Sequence, residues 1–144
     1  MIVPDANLLL YAYDRDSPFH ERARAWLQEC LSGRQPVGFT HPTLFAFIRI
    51  ATHSKVYASP MTLAEAAEHV RAWLERRVSQ VLQASAGHAE QVIALLQAGG
   101  GTAGNLVTDA QIAALALAYR AVVHTADRDF LRFAGVRSRF PLDE

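Results

Sequence analysis

A single cysteine, Cys30, is all the thiol this chain has, which excludes an internal disulfide and a thiolate metal cluster. Lysine is as scarce: Lys55 is the only one, and the other 13 of the 14 basic residues are arginines. No apolar run approaches the roughly 20 residues needed to cross a bilayer. Met1-Ile2-Val3-Pro4-Asp5 lacks the basic start of a secretory signal and carries an acid at once. These absences point to a reducing, cytoplasmic setting away from membranes. Lysine and arginine together number 14, as do aspartate and glutamate, so the formal net charge is zero and bulk electrostatics announces no nucleic-acid partner. One gap is local: no Asp or Glu occurs between Glu29 and Glu65.

What is present suits one globular domain spanning 1–144, because 144 residues at 51% hydrophobic content can bury a sizeable core. Charged residues, at 19%, are too few and too evenly spread for a disordered chain. The arginines would suit phosphate recognition, since their forked guanidinium matches phosphate oxygens, although a GC-rich genome gives the same bias.

Strand-like apolar runs alternate with amphipathic helical stretches, the pattern of an α/β layer fold with a parallel sheet and helices on both faces. Ile2-Val3 reads as a buried strand followed at once by Asp5, and Leu8 to Tyr13 as a short apolar helix. Ser17 and Pro18 predict a helix start, as N-cap and first helical residue, with Phe19, Ala23, Trp26, Leu27 and Cys30 on one face and Gly33 at the end. Val37-Gly38-Phe39 reads as a strand, and His41-Pro42 opens a helix running past Phe45, Ile48 and Arg49 towards His53. Thr62 and Glu65 form a capping-box pair before a stripe of Leu63, Ala67, Val70 and Leu74. Val78 to Gln83 alternates like a strand, and Val92, Leu95 and Leu96 mark a helix ended by Gly99-Gly100-Gly101. That glycine run is no phosphate loop, since no Lys-Ser or Lys-Thr follows at the needed spacing. Asp109 opens a helix marked by Ile112, Leu115, Ala116 and Tyr119, and Ala121 to Thr125 reads as a strand just before Asp127.

Three acids thereby share one expected address. Asp5 follows the first strand, Asp109 the short run Leu106-Val107, and Asp127 the strand ending near Thr125. Ligands of open α/β sheets bind beyond the carboxyl ends of the strands. Carboxylates held close together repel, and one becomes protonated unless a cation intervenes. Mg²⁺ and Mn²⁺ prefer such oxygen ligands, lower the pKa of a bound water and neutralise charge on a phosphate, the basis for a phosphodiesterase. Each acid also has an ordinary alternative: Asp109 as a first-turn residue complementing the helix dipole, Asp127 and Asp129 as turn residues.

These residues carry a resemblance. Pro4-Asp5-Ala6-Asn7-Leu8-Leu9-Leu10-Tyr11-Ala12 resembles the N-terminal signature of PIN domains, Asn105-Leu106-Val107-Thr108-Asp109-Ala110 the family's third acidic motif, and His124-Thr125-Ala126-Asp127-Arg128-Asp129-Phe130 its fourth. Their order and spacing cover nearly the whole chain, and the VapC-type ribonuclease toxins of bacterial toxin–antitoxin pairs are the most similar members. The resemblance implies a three-layer α/β/α domain with a central parallel sheet and metal-dependent hydrolysis of RNA without a covalent intermediate. It makes Asp5 and Asp109 the main Mg²⁺ (or Mn²⁺) ligands, with Asp127 supporting the metal or its water. Asn7 would orient Asp5, while Asp129 and Arg49 stand around the site. A homodimer and a small VapB-like antitoxin blocking the acidic pocket are implied as well; the apolar residues around Phe45, Phe47 and Trp26 either supply a groove for that antitoxin or fill the core.

One departure stands out. The family usually has a Glu three residues before an Arg on the helix after the second strand, and aligning on Arg49 places Ala46 there. The four-acid site is incomplete, which leaves a catalytically silent PIN-like module that binds RNA or protein as the competing reading. A flap-type DNA nuclease fits less well, because the short chain lacks elements to guide a branched duplex. An aspartyl phosphatase is disfavoured because Asn7 stands where the general-acid Asp is expected. His41 and His53 are too far apart for an i, i+4 zinc pair. His124, Trp26, Trp73 and Cys30 read as packed core residues.

Overall fold

Pairs of adjacent apolar residues in very short strands decide this architecture, because neighbours in a strand point to opposite faces. The computed structural model describes residues 1–100, 104 and 106–144, so Gly101 of the glycine run and Asn105 of the third motif lie outside the described residues. The elements are β1 (Ile2–Pro4), α1 (Ala6–Tyr11), α2 (His20–Ser32), β2 (Val37–Phe39), α3 (His41–Ala51), α4 (Leu63–Leu74), β3 (Ser79–Val81), α5 (His88–Ala98), α6 (Leu106–Ala118), β4 (Val122–His124) and β5 (Arg137–Arg139). Two 3₁₀ turns, Arg128–Arg132 and Pro141–Asp143, flank β5.

The strands form one sheet in the order β3-β2-β1-β4-β5, every pairing parallel. Ile2, Val37 and Phe39 face a core completed by α1, α2, α3 and α4. Val3 and Val123 face the other side, where α5 and α6 cover the sheet. The expected three layers are therefore present. Trp73 of α4 is buried against Phe39 and Phe47, with ring centroids at 5.8 and 4.7 Å, and its indole N–H donates to the Tyr13 hydroxyl at 2.7 Å. No helix among the described residues is long and apolar enough to cross a membrane.

Several local expectations are met and others corrected. The Thr62–Glu65 capping box forms as read. Its helix, however, buries Ala66, Val70 and Trp73, leaving Leu63 exposed, so the apolar stripe is rotated from the one read through Leu63 and Ala67. Ser17 does not cap α2: its hydroxyl accepts the Phe19 N–H at 3.1 Å and closes a turn. The helix begins at His20, whose Nδ1 meets the Tyr11 carbonyl at 3.0 Å, a tertiary contact that fixes the entry. Leu106-Val107 is the first turn of α6 and no strand, so Asp109 reaches the sheet edge from a helix. A short apolar run cannot be assigned to strand or helix by periodicity alone.

Gly38 sits in β2, where a Cβ would lie 2.8 Å from Leu82 Cδ2, and Leu82 is itself fully buried. Gly38→Ala is expected to lower stability by about 1–3 kcal/mol through overpacking. Urea denaturation checks this, with Leu82→Val in the same chain recovering part of the loss. An unchanged midpoint would mean that Leu82 moves aside freely.

Candidate active site

In a parallel sheet the chain can reverse direction outward on both sides of one strand, and the crevice at that switch point is where ligands bind. Here the switch lies between β1 and β4, because β2 lies on one side of β1 and β4 on the other. The register Pro4 opposite His124 brings the two strand ends level. The Asp5 N–H donates to the His124 carbonyl at 2.9 Å, and Asp5 is set beside Thr125.

Asp5 is only 6% exposed, and each of its carboxylate oxygens accepts one hydrogen bond. Oδ1 accepts the Ala6 N–H at 2.7 Å, capping α1, and Oδ2 accepts the Thr125 hydroxyl at 2.7 Å. Thr125 Oγ1 in turn accepts the Asp127 N–H at 2.9 Å and the Asn7 side-chain amide at 3.4 Å. A hydroxyl has one donor and two acceptor positions, and Thr125 uses them all. Asn7 Oδ1 accepts the N–H groups of Leu8 at 2.7 Å and Ala126 at 3.3 Å. Asn7 thus reaches Asp5 through Thr125, a residue that the sequence reading assigned no part. The signal was its place two residues before Asp127, the spacing at which a Thr hydroxyl bonds the backbone in a turn.

Asp127 caps the Arg128–Arg132 turn, its Oδ1 accepting the Asp129 N–H at 2.9 Å. Asp109 projects from the first turn of α6. Asp109, Asp127 and Asp129 each offer a carboxylate oxygen within 4.8 Å of the others. Asp5, Asp109 and Asp127 line one cavity of ≈ 370 Å³, to which α3 contributes Ala46, Arg49 and Ile50. Asp5, Asp109 and Asp127 thus share a cavity, but the close carboxylate group is Asp109, Asp127 and Asp129, and Asp5 lies outside it. One Asp129 oxygen is also held by Arg132 Nε at 3.3 Å.

The electrostatic consequence is direct. Burial raises the Asp5 pKa, an effect that the Thr125 and Ala6 hydrogen bonds oppose and the Asp127 charge reinforces. Asp109 is pushed up to about 7, by burial first and then by the negative charges of Asp5, Asp127 and Asp129. Like-charged carboxylates in a half-buried cavity resist joint ionisation. An all-oxygen donor set of this kind suits a hard divalent cation, which would relieve that repulsion.

Arg49 is exposed at the same cavity and forms no ion pair among the described residues. Ala46 leaves this part of α3 without a carboxylate. His124 is packed as expected: its Nδ1 accepts the Trp26 indole N–H at 3.0 Å, so Nε2 carries the proton of the neutral ring. Burial, assisted by Arg139, holds His124 down to about 4. Cys30 is buried, and its thiol is pushed up to about 12. Of the aromatic residues expected to form a partner groove, Phe47 and Trp26 are core residues and Phe45 alone is exposed, which corrects that reading.

Comparison with known proteins agrees with this fold. Residues 2–136 match the PIN domain. Ribonuclease VapC33 of Mycobacterium tuberculosis is 44% identical over 144 residues, the full length of both chains. Among solved structures, VapC20 of Mycobacterium tuberculosis, described as a sarcin-ricin loop cleaving toxin, shares the fold with a TM-score of 0.68 at 18% identity, over 95% of this chain and 99% of that one. VapBC of Salmonella typhimurium, solved bound to DNA, gives 0.66 at 22% identity over 96% of each chain.

Thr125→Val would leave the Asp127 N–H and one Asp5 oxygen without a partner, and is expected to cost about 1–3 kcal/mol of stability. Loss of a group that orients a ligand also lowers metal affinity by about 10–100-fold. Thr125→Ser keeps the hydroxyl and should retain most of both. Calorimetric titration with Mn²⁺ beside thermal unfolding checks the pair, and equal behaviour of Val and Ser would remove Thr125 from the site.

Proposed function

The chain belongs to the PIN-domain family, and from that premise we propose that it is a metal-dependent endoribonuclease, the toxin of a type II toxin–antitoxin pair. The observation that carries this reading is a cavity at the switch point of the sheet lined by Asp5 after β1, Asp127 after β4 and Asp109 of α6, with Asp109, Asp127 and Asp129 close enough to share an ion. Full-length similarity to a protein named as a VapC ribonuclease supports the substrate class.

Asp109 and Asp127 are the proposed ligands of one Mg²⁺ or Mn²⁺, together with Asp5 and with Asp129 completing the cluster. Asp5 Oδ1 and Oδ2 each retain a lone pair beyond their hydrogen bonds, so its anchoring does not prevent coordination. When bound, such an ion supplies positive charge and a water of lowered pKa for attack on a phosphodiester. Thr125 and Asn7 fix the orientation of Asp5, and the Asp127 cap holds Asp129 in place. Arg132 withdraws one Asp129 oxygen from the mutual repulsion. In the reaction water adds to phosphorus, the P–O bond to the leaving nucleoside breaks, and that oxygen is protonated.

The proposed partners are RNA, a second copy of the chain, and a small VapB-like antitoxin; the last is supported by VapBC among the similar structures. The proposed setting is the cytoplasm. Ala46 favours one alternative, a silent PIN-like binding module, because it removes a carboxylate that such sites usually carry.

Purified chain free of antitoxin is expected to cut single-stranded or structured RNA with Mg²⁺ or Mn²⁺ and to stop with EDTA. Asp5→Asn and Asp109→Asn should both abolish cutting. A folded protein that cuts no RNA with either ion would favour the silent module.

A further inference from the structure

Arg49 is the one basic side chain lining a cavity whose other charged residues are Asp5, Asp109 and Asp127. Three acids beside one guanidinium would ordinarily draw it into a salt bridge, yet none forms among the described residues. Asp5 is turned inward onto Ala6 and Thr125, and among the described residues neither Asp109 nor Asp127 lies within ion-pair distance of Arg49. On α3 itself Ala46, one turn before Arg49, offers no acceptor. The guanidinium is exposed and its fork is free at the mouth of the acidic site.

A polyanion entering that cavity meets a difficulty, because the lining acids repel it. A cation held by those acids neutralises only the part of a phosphate nearest to it. The remaining non-bridging oxygens need a donor from another element, and a free arginine matches phosphate geometry with paired N–H groups. We propose that Arg49 binds a non-bridging oxygen of the RNA phosphate seated in this cavity, and so positions the backbone for cleavage. This inference rests on the ribonuclease reading above and adds a substrate contact to it. It also gives the Ala46 departure a consequence: a Glu at that position would lie within reach of Arg49 on the same helix face and would compete with phosphate for it.

The test uses wild-type protein, Arg49→Gln and Arg49→Lys, all checked for folding by circular dichroism. Binding of a short fluorescein-labelled single-stranded RNA of mixed sequence is followed by anisotropy with Ca²⁺ in place of Mg²⁺, a cation that takes the same oxygen ligands, across a range of NaCl and with the RNA shown by gel to stay uncut. Each phosphate contact contributes about 0.7 to the slope of log affinity against log salt for a single strand. Arg49→Gln should therefore weaken binding and flatten the slope by about 0.7, while Arg49→Lys keeps the wild-type slope. With Mg²⁺, the Gln variant should show a raised KM for cutting that the Lys variant largely restores. If Arg49→Gln binds with wild-type affinity and slope while wild type cuts RNA, the arginine contact is wrong and the nuclease reading stands. If the slope flattens equally in both variants, the effect comes from a shift of α3 and the contact is overturned. If wild type neither binds nor cuts RNA, both readings fall together.

Discussion

The hydrogen bond from the Thr125 hydroxyl to Asp5 Oδ2 is the joint on which this site turns. It couples the ends of two neighbouring parallel strands, β1 and β4, and through the Asp127 N–H it extends to the loop that carries Asp127 and Asp129. Strands of three residues can hold this geometry because their partners are buried: Val3 and Val123 are fully enclosed, and α6 lays a face of alanines across them. Register matters more than strand length. A slip by one residue would exchange Ile2 and Val3 between the two cores and carry Asp5 away from Thr125.

Around that joint the protein gathers negative charge that it does not neutralise with its own cations. Two of its exposed ion pairs, Arg128–Asp143 and Arg139–Glu144, lie in the C-terminal segment, and among the described residues only Arg132 pairs with a member of the acidic cluster. The result is an Asp109 held near 7, part-way to accepting a proton. In the proposed reading a divalent cation would relieve this repulsion, and Arg49, at the same cavity, would hold an anion beside it. The absence of a carboxylate at Ala46 lowers the negative charge of the cavity and leaves that arginine unclaimed. In this account the missing acid alters how substrate is held and does not remove the metal site.

Much of this was legible in the sequence because single residues carry strong local meaning. Asp5 directly after Ile2-Val3 and Asp127 directly after the run ending at Thr125 both fall at strand ends, as read, and Thr62 with Glu65 marks the start of α4. The remainder depended on tertiary contacts. β5 is an edge strand written Arg-Ser-Arg, with exposed termini and no apolar alternation to announce it. Leu106-Val107 is apolar in either helix or strand, and only its packing against α5 and the sheet decides for helix. Ser17 and Pro18 make a sound helix start in isolation, but the contact between His20 and Tyr11 moves the start onward. For Thr125 only the bond to the Asp127 N–H was foreshadowed by spacing; its bonds to Asp5 and Asn7 join opposite ends of the chain and needed the fold. Asp129 was undervalued for a related reason: its nearness to Asp109 follows from a tight turn capped by Asp127, a geometry that spacing alone does not specify.

The measurement that tests the account most directly is calorimetric titration of Mg²⁺ into metal-free protein near pH 7, in buffers of different ionisation enthalpy. Metal binding requires ionised carboxylates and releases the protons they hold. With Asp109 raised to about 7 and Asp5 raised by burial, protons should leave as the ion binds. Affinity should fall as pH drops below about 7, and Asp109→Asn should release fewer protons than wild type. Tight binding with no proton release from wild type, or no binding at any pH, would contradict the claim that mutual repulsion among these acids prepares the site for a cation.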